Sequence, residues 1–510
     1  MSSVHLESPR VARSRHAPAD RRATSGPLKP AYVPSLLAIG LVVSVISSLG
    51  APLIPTIARE LHAGLGATQW SLTATLLVGA VASPLVGRLG DGPHRRTVLL
   101  VCLSIVTLGG ATAAMAGSLP VLVAGRALQG LGLALMPLTM ASARDQLPPM
   151  RAGQTIALLS VIGAVGVGLG YPITGFIAQH FDASAAFWFG TAASASALVL
   201  AALFVPSPAA PAHASSLDLR GAVLIGGGVL ALLLALEKGA DWGWGSASTV
   251  GLLALAVLLL VLWTLNELRV DAPLVELRLV ARRAVLTANV TGLVLGVAMY
   301  LGISLMTQVV QLPSGIDQSV FVAGLALLPF SALSVVSSRA VPFARRHAGP
   351  RATIPIGATV IAIGMLFFSV TGDALWEAFV TMGLVGLGLG FTFAAMPGLI
   401  VGAVPQHETS SAMSFYQVSR YVGFSIGSGL AVTLLRAFGG NDGPPTAAAY
   451  SSTFAVGAGL CLLAAAIAWV LPGDSLTAPV PSPAAAHDAD ERAIEEGELA
   501  AAGLQRLEDD

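Results

Sequence analysis

Fourteen stretches of about twenty consecutive apolar residues leave this chain one kind of fold. They cover roughly 34–57, 69–88, 97–116, 121–143, 153–177, 185–205, 221–237, 248–268, 284–310, 319–341, 351–370, 375–404, 410–436 and 448–471. Backbone polar groups carried into hydrocarbon find no water, so each stretch must satisfy them internally as an α-helix. Composition agrees: 55% of the 510 residues are hydrophobic and 11% are charged, where soluble domains carry about 25%. Mean hydropathy is +0.78. The expected fold is an all-α polytopic membrane protein. A net charge of zero gives no bulk attraction for nucleic acid. Cys102 and Cys461 each lie in an apolar run and read as small core residues.

Basic residues orient the spans. With the N-terminus inside, 22 of the 27 Lys and Arg fall on the inner side: six in the N-terminal tail, fourteen in inner loops and two in the C-terminal tail. Arg59, Lys238 and Arg436 fall outside, and Arg126 and Arg420 fall within spans. Both termini and the loop "GRLGDGPHRR" (Gly87 to Arg96) are therefore expected on the cytoplasmic side of the inner (plasma) membrane. Residues 1–33 read as a disordered basic tail, and residues 472–510 as an acidic one with a short surface helix in "ERAIEEGELAAAGLQRLEDD".

In that loop Arg88, Arg95 and Arg96 can anchor two helix ends, and Asp91 can accept hydrogen bonds or pair with an arginine. Gly87, Gly90 and Gly92 permit close backbone approach. Anchoring alone would explain the charges; a latch that closes in one conformation would explain them equally. "GRLGDGPHRRTVLL" resembles the loop 2–3 signature of the major facilitator superfamily, with Gly87, Asp91, Arg95 and Arg96 at matching positions. Gly92 and His94 depart from that pattern. "RALQGLGLALMP" is similar to the family's Arg-x-x-Gln-Gly element through Arg126, Gln129, Gly130 and Gly132. "GVGLGYPITGF" resembles the glycine-proline motif of the antiporter branches, with Tyr171 and Phe176 as departures. "APLVELRLVARR" resembles the inner loop before span 9 of the fourteen-span drug:proton antiporter branch.

A repeat points the same way. "GLGLALMP" near Gly130 recurs as "GLGLGFTFAAMP" near Gly386 at an offset of 256, and Pro149 maps to Pro405 at the same offset. Spans 4–5 then correspond to spans 12–13. The expected layout is two six-helix bundles, 34–205 and 284–471, with a linker at 206–220, an inserted pair at 221–268 and a cytoplasmic loop at 269–283. In span 5, Gly163, Gly166 and Gly170 share a face, and Pro172 and Gly175 follow. That face reads as tight packing or, with the family resemblance, as a surface on which the halves rock.

Ionised groups inside the membrane normally face a bundle interior or cavity, because exposing them to lipid costs about 2.5–3.5 kcal/mol or more. Arg126, with Gln129 three residues on, and Arg420 are therefore expected at a central cavity. Polar stripes in span 9 (Asn289, Tyr300, Ser304, Thr307, Gln311) and span 13 (Ser414, Gln417, Tyr421) are its expected walls, although such stripes also serve as helix–helix glue. All 27 acids fall in tails, loops or span ends. Where the family's drug antiporters often carry an acid in span 1, this chain has Ile46. A transported proton would then ride on Asp91, Asp145, Glu237, Glu377, His407 or Glu408, Asp91 and Asp145 first, or on the substrate. Asp145 is also the expected partner of Asp91 in the latch.

No phosphate-cradling loop, metal-ligand cluster or nucleophile triad stands in the loops. The resemblance implies a secondary transporter that exports a small amphipathic organic compound such as a drug or metabolite. It implies protons and the lipid bilayer as partners, and no cofactor, metal or nucleic acid. We expect a monomer. A uniporter or importer fits the same architecture. An integral-membrane transferase would need a polar cluster at one face, for which His407–Glu408 is the one adjacent pair.

Overall fold

The computed structural model describes residues 30–471 apart from 50–52, 64, 69, 92–93, 207–217, 271–272, 312–315, 350, 373 and 440–444. The tails expected at 1–33 and 472–510 therefore lie outside the described residues except for 30–33, as does most of the linker. No strand occurs among the described residues. The long helices are α1 (Tyr32–Ser48), α2 (Trp70–Gly90), α3 (Arg95–Ala114), α4 (Leu119–Gln146), α5 (Pro149–His180), α6 (Ala183–Phe204) and α7 (Leu219–Trp242). After them come α8 (Ala247–Glu267), α9 (Arg283–Gln311), α10 (Phe321–Ala348), α11 (Thr353–Thr371), α12 (Leu375–Ala403), α13 (Thr409–Gly439) and α14 (Ala447–Val470). Among the described residues, twelve helices are long and apolar enough to cross a membrane. α1 is a shorter apolar helix, and α5 runs for 32 residues.

Prolines move several boundaries from where hydropathy put them. The first span, expected at 34–57, stops at Ser48, and a separate helix Ile54–Glu60 follows with Pro55 in its first turn. There a missing N–H costs nothing. Inside α4, Pro137 has no N–H to give the Leu133 carbonyl, and the chain tightens to a 3₁₀ turn at Leu131–Ala134. α10 is interrupted between Leu325 and Leu328, just before Pro329. It then runs past the expected end at 341 to Ala348. Its last turn places Arg345, Arg346 and His347 at the negative end of the helix, and Gly349 at φ 82° stops it.

α1 to α6 pack largely on one another, as do α9 to α14. α5 crosses onto α10 and α12, and α13 crosses onto α2. The repeated glycines do equivalent work. A Cβ on Gly130 would overlap the Thr75 carbonyl of α2, and one on Gly386 would overlap the Phe330 carbonyl of α10. α7 docks on both α2 and α13, and only 17% of the apolar window of α8 is buried, so α8 is peripheral.

The glycine face of α5 packs tightly within the first group of helices. Gly166 and Gly170 leave room for Ser44 and Ser48 of α1, a neighbour in the first group of helices. A different face of α5 meets the later helices, where Val161 packs against Val341 and Ala394. Gly175 meets nothing within 4 Å, the surroundings of Gly163 lie outside the described residues, and α5 stays helical through the buried Pro172.

Candidate functional site

Every helix leaves N–H groups unpaired at its start, which is partially positive, and carbonyls unpaired at its end, which is partially negative. α12 ends at Ala403 and α13 begins at Thr409, so a short connection sets one end of each kind side by side. The earlier helices cover both with charges of the right sign. The Asp91 carboxylate, one residue past α2, takes the positive end: Oδ1 accepts from the Ser410 amide at 2.8 Å. Its Oδ2 accepts from the Ser411 amide at 2.8 Å and the Ser411 hydroxyl at 2.5 Å. Arg144 takes the negative end. It donates to the Val404 carbonyl at 3.0 Å, the Pro405 carbonyl at 3.3 Å and the Thr409 hydroxyl. Arg282 donates to the Ala403 carbonyl at 2.5 Å.

Flanking pairs complete this clasp. Arg88 meets Glu408 at 3.0 Å. Asp145 pairs with Arg95 and accepts from the Gln406 amide at 3.0 Å. Gly87 is required by closeness, since a Cβ there would overlap the buried Ser414 side chain. Arg96 turns away and donates to the Ala202 carbonyl at 2.7 Å. Asp145 is thus not the partner of Asp91; helix amides 319 and 320 residues along the chain are. Charge spacing alone did not reveal Arg144 or Arg282, nor that Arg88 and Glu408, each singled out separately, pair with one another. The available signal was Pro405, which the repeat places just before a helix start facing the Asp91 loop.

Burial pushes the Asp91 carboxyl up to about 7, against the lowering pull of the Ser411 and Ser410 hydrogen bonds, and the charge of Glu408 adds to the rise. Once released into water the same group returns toward about 3.9. The closed clasp therefore binds more protons than the open one between about pH 4 and pH 7. It is favoured as pH falls through that window and loses this stabilisation as pH rises through 7. Hydrogen exchange at the Ser410 and Ser411 amides, corrected for intrinsic rates, is expected to show stronger protection at pH 5.5 than at pH 8. Equal protection would contradict the assignment.

About 15 Å along α13 from its start, a cavity of about 790 Å³, counting its open mouth, lies between α1, α4 and α5 on one side and α9, α10, α12 and α13 on the other. Met136, Met140 and Met299 give it deformable walls. Arg420 is the one ionised residue on its wall among the described residues, and no carboxylate lines it among them. The guanidinium lies 4.1 Å from the Phe393 ring centre, 5.5 Å from Phe424 and 5.8 Å from Tyr416. Its Nη1 donates to Gln417 at 2.7 Å, and its buried Nε has no partner among the described residues. A second pocket of about 380 Å³ shares Tyr421 and Phe424 with this wall and contains Tyr300 and Glu237, with the Thr73 hydroxyl 3.3 Å from Glu237.

The polar residues expected at the cavity divide. Gln417, Arg420 and Tyr421 line it, and Tyr300 lines the second pocket. Asn289 bonds the Val285 carbonyl and Ser419, while Thr307 and Gln311 bond carbonyls of their own helix and Ser304 bonds Gln308. None of these four lines either pocket, because a polar side chain in lipid can be satisfied locally by the backbone. Arg126 and Gln129 also stand off the cavity. Arg126 is fully buried among α1, α2, α4 and α6, donating to Gln129 at 2.8 Å and to the Ile46 and Ser71 carbonyls at 3.3 Å, with Phe187 5.8 Å away. Glu377 closes the start of its own helix by accepting from the Ala374 amide at 2.9 Å.

Known proteins resemble this chain in sequence and in fold. The chain is 29% identical over 413 residues to the tetracenomycin C resistance and export protein of Streptomyces glaucescens, covering 79% of this chain and 76% of that one. It is 27% identical over 390 residues to the multidrug resistance protein Stp of Mycobacterium tuberculosis, covering 76% and 72%. Its fold is similar to the crystal structure of the human organic anion transporter MFSD10, with a TM-score of 0.60 at 18% identity, over 87% of this chain and all of that one. These relatives are membrane transporters rather than enzymes. The family model of the Major Facilitator Superfamily matches residues 36–428 and 340–505, and the chain belongs to that family of multi-pass membrane transporters.

Proposed function

We propose that the protein is a secondary active exporter that moves a small amphipathic organic compound out of the cell in exchange for protons. In this reading α1 and α5 join the other twelve helices as spans, giving fourteen. Residues 34–205 and 284–471 form two six-helix halves, and α7 and α8 are the inserted pair. The basic-residue count puts both termini and the Asp91 clasp in the cytoplasm, and the chain works as a monomer. The observation that carries the reading is that one helix, α13, serves both parts. Its first turn is clasped by Asp91 from the other half, and its third and fourth turns form a wall of the cavity to which both halves contribute. Opening the clasp would expose that cavity to the cytoplasm. The relatives named for antibiotic export and multidrug resistance support this direction and kind of cargo.

Proton coupling draws on the Asp91 carboxyl, which changes proton affinity as the clasp opens. A uniporter is the second reading, favoured because no carboxylate lines the central cavity among the described residues. Everted membrane vesicles offered a panel of aromatic antibiotics including tetracenomycin C separate the two. Uptake driven by an acid interior should exceed control vesicles at least fivefold and collapse when a protonophore dissipates the gradient. Flux indifferent to the gradient would make the protein a uniporter, and no flux for any compound would overturn export.

A further inference from the structure

We propose that the central cavity takes planar aromatic compounds that carry a negative charge, and that Arg420 receives that charge. This rests on the export reading and narrows its substrate class. The only ionised group on the cavity wall among the described residues is a cation, and no carboxylate there offsets it. A cationic compound entering would bring like charges together where water is scarce, which is unfavourable at low dielectric. The three rings around the guanidinium attract it through their electron-rich faces, but they do not supply a counter-ion.

Hydrogen bonding leaves the same need unmet. Nη1 is held by Gln417, which orients the planar head, while the buried Nε keeps an unused donor among the described residues. A carboxylate, phenolate or enolate is the kind of acceptor this fork holds in its plane. Tyr416, Tyr421 and Phe424 line the cavity beside it and give an aromatic framework ring surface and edges to pack against, at the separations of about 4.5–7 Å that aromatic pairs prefer. Met136 and Met140 on the facing wall, and Met299 on the near one, adapt to different outlines. Charge therefore selects the compound, and the remaining wall tolerates its shape.

The test uses purified full-length protein in lipid nanodiscs and three matched probes: anthraquinone-2-carboxylate, its neutral carboxamide and the cationic 2-aminomethyl analogue. The expected order is carboxylate at least tenfold tighter than carboxamide, with the cation weakest. Arg420→Gln should weaken the carboxylate at least tenfold and remove its advantage, while Arg420→Lys should restore an advantage of about threefold. Thermal unfolding reports whether each variant folds; if Arg420→Gln does not, the wild-type order and Arg420→Lys decide. Equal wild-type affinity for the three probes, preference for the cation, or an Arg420→Gln variant that keeps the carboxylate preference would overturn the proposal. If the carboxylate is not preferred but panel compounds are still exported, the substrate class falls and the export reading stands. A carboxylate bound as expected but never moved in vesicles leaves the site assignment intact and removes export.

Discussion

Replacing Asp91 by Asn will leave the protein folded and lower transport at least tenfold at equal expression. The carboxylate accepts two backbone amides and a hydroxyl at the start of α13. An amide side chain of the same shape turns one acceptor into a donor that must face a backbone N–H. A protonated carboxyl instead keeps an accepting lone pair on each oxygen and turns its one proton to the Ser411 hydroxyl, so protonation spares both amides and the Asn substitution does not. Hydrogen bonds to a charged group are worth about 1.5–3 kcal/mol, and 1.4 kcal/mol is a tenfold change in an equilibrium. The loss falls on the clasped conformation alone, because the residue is hydrated when the clasp is open. The balance between conformations therefore shifts by one to two orders of magnitude while the rest of the packing is untouched. Unchanged turnover in vesicles would reduce the loop to a charge anchor.

The second large effect is expected at Arg126. Its guanidinium joins three elements: the carbonyl of Ile46 in α1, the carbonyl of Ser71 in α2, and Gln129 in its own helix. Removing one side of a buried polar network commonly costs about 3–5 kcal/mol, because the partners stay buried and unpaired. Arg126→Ala should lower the midpoint of thermal unfolding by several degrees and abolish transport. Arg126→Lys keeps a point charge but not the planar fork, so it should fold better than Arg126→Ala and retain a minor part of the activity. If Arg126→Ala proves as stable and as active as the parent, these carbonyls have no need of the charge.

What the sequence disclosed depended on how local each signal was. Long apolar runs disclosed the helices, because in lipid a backbone has no other way to satisfy itself. Pro137 and Pro329 were visible as letters, but the breaks they impose on α4 and α10 depend on which carbonyl each leaves unpaired. The Asp91 loop was legible as a charge cluster. Its partners were not, because amides carry no signature in the residue letters and lie 319 and 320 positions away. Ile46 illustrates the same limit: its side chain lacks the acid that the position suggested, while its carbonyl meets Arg126. The stripe on α9 matched the expected cavity wall by spacing, yet Thr307 and Gln311 turned back onto their own helix. The stripe on α13 was distinguished by Arg420, which needs a polar surround and found a cavity.

That Asp91 holds one of two conformations can be measured as a distance. His94 and Arg346 are both exposed, at the start of α3 and the end of α10. Spin labels on cysteines at these positions, with the buried Cys102 and Cys461 replaced by alanine, report the gap between the start of α3 and the end of α10 by pulsed electron paramagnetic resonance. In the parent at pH 5.5 a short distance should dominate. In Asp91→Asn, or in the parent at pH 8, weight should move to a second, longer distance. A single distribution, identical in all three samples, would mean that Asp91 does not hold a conformation.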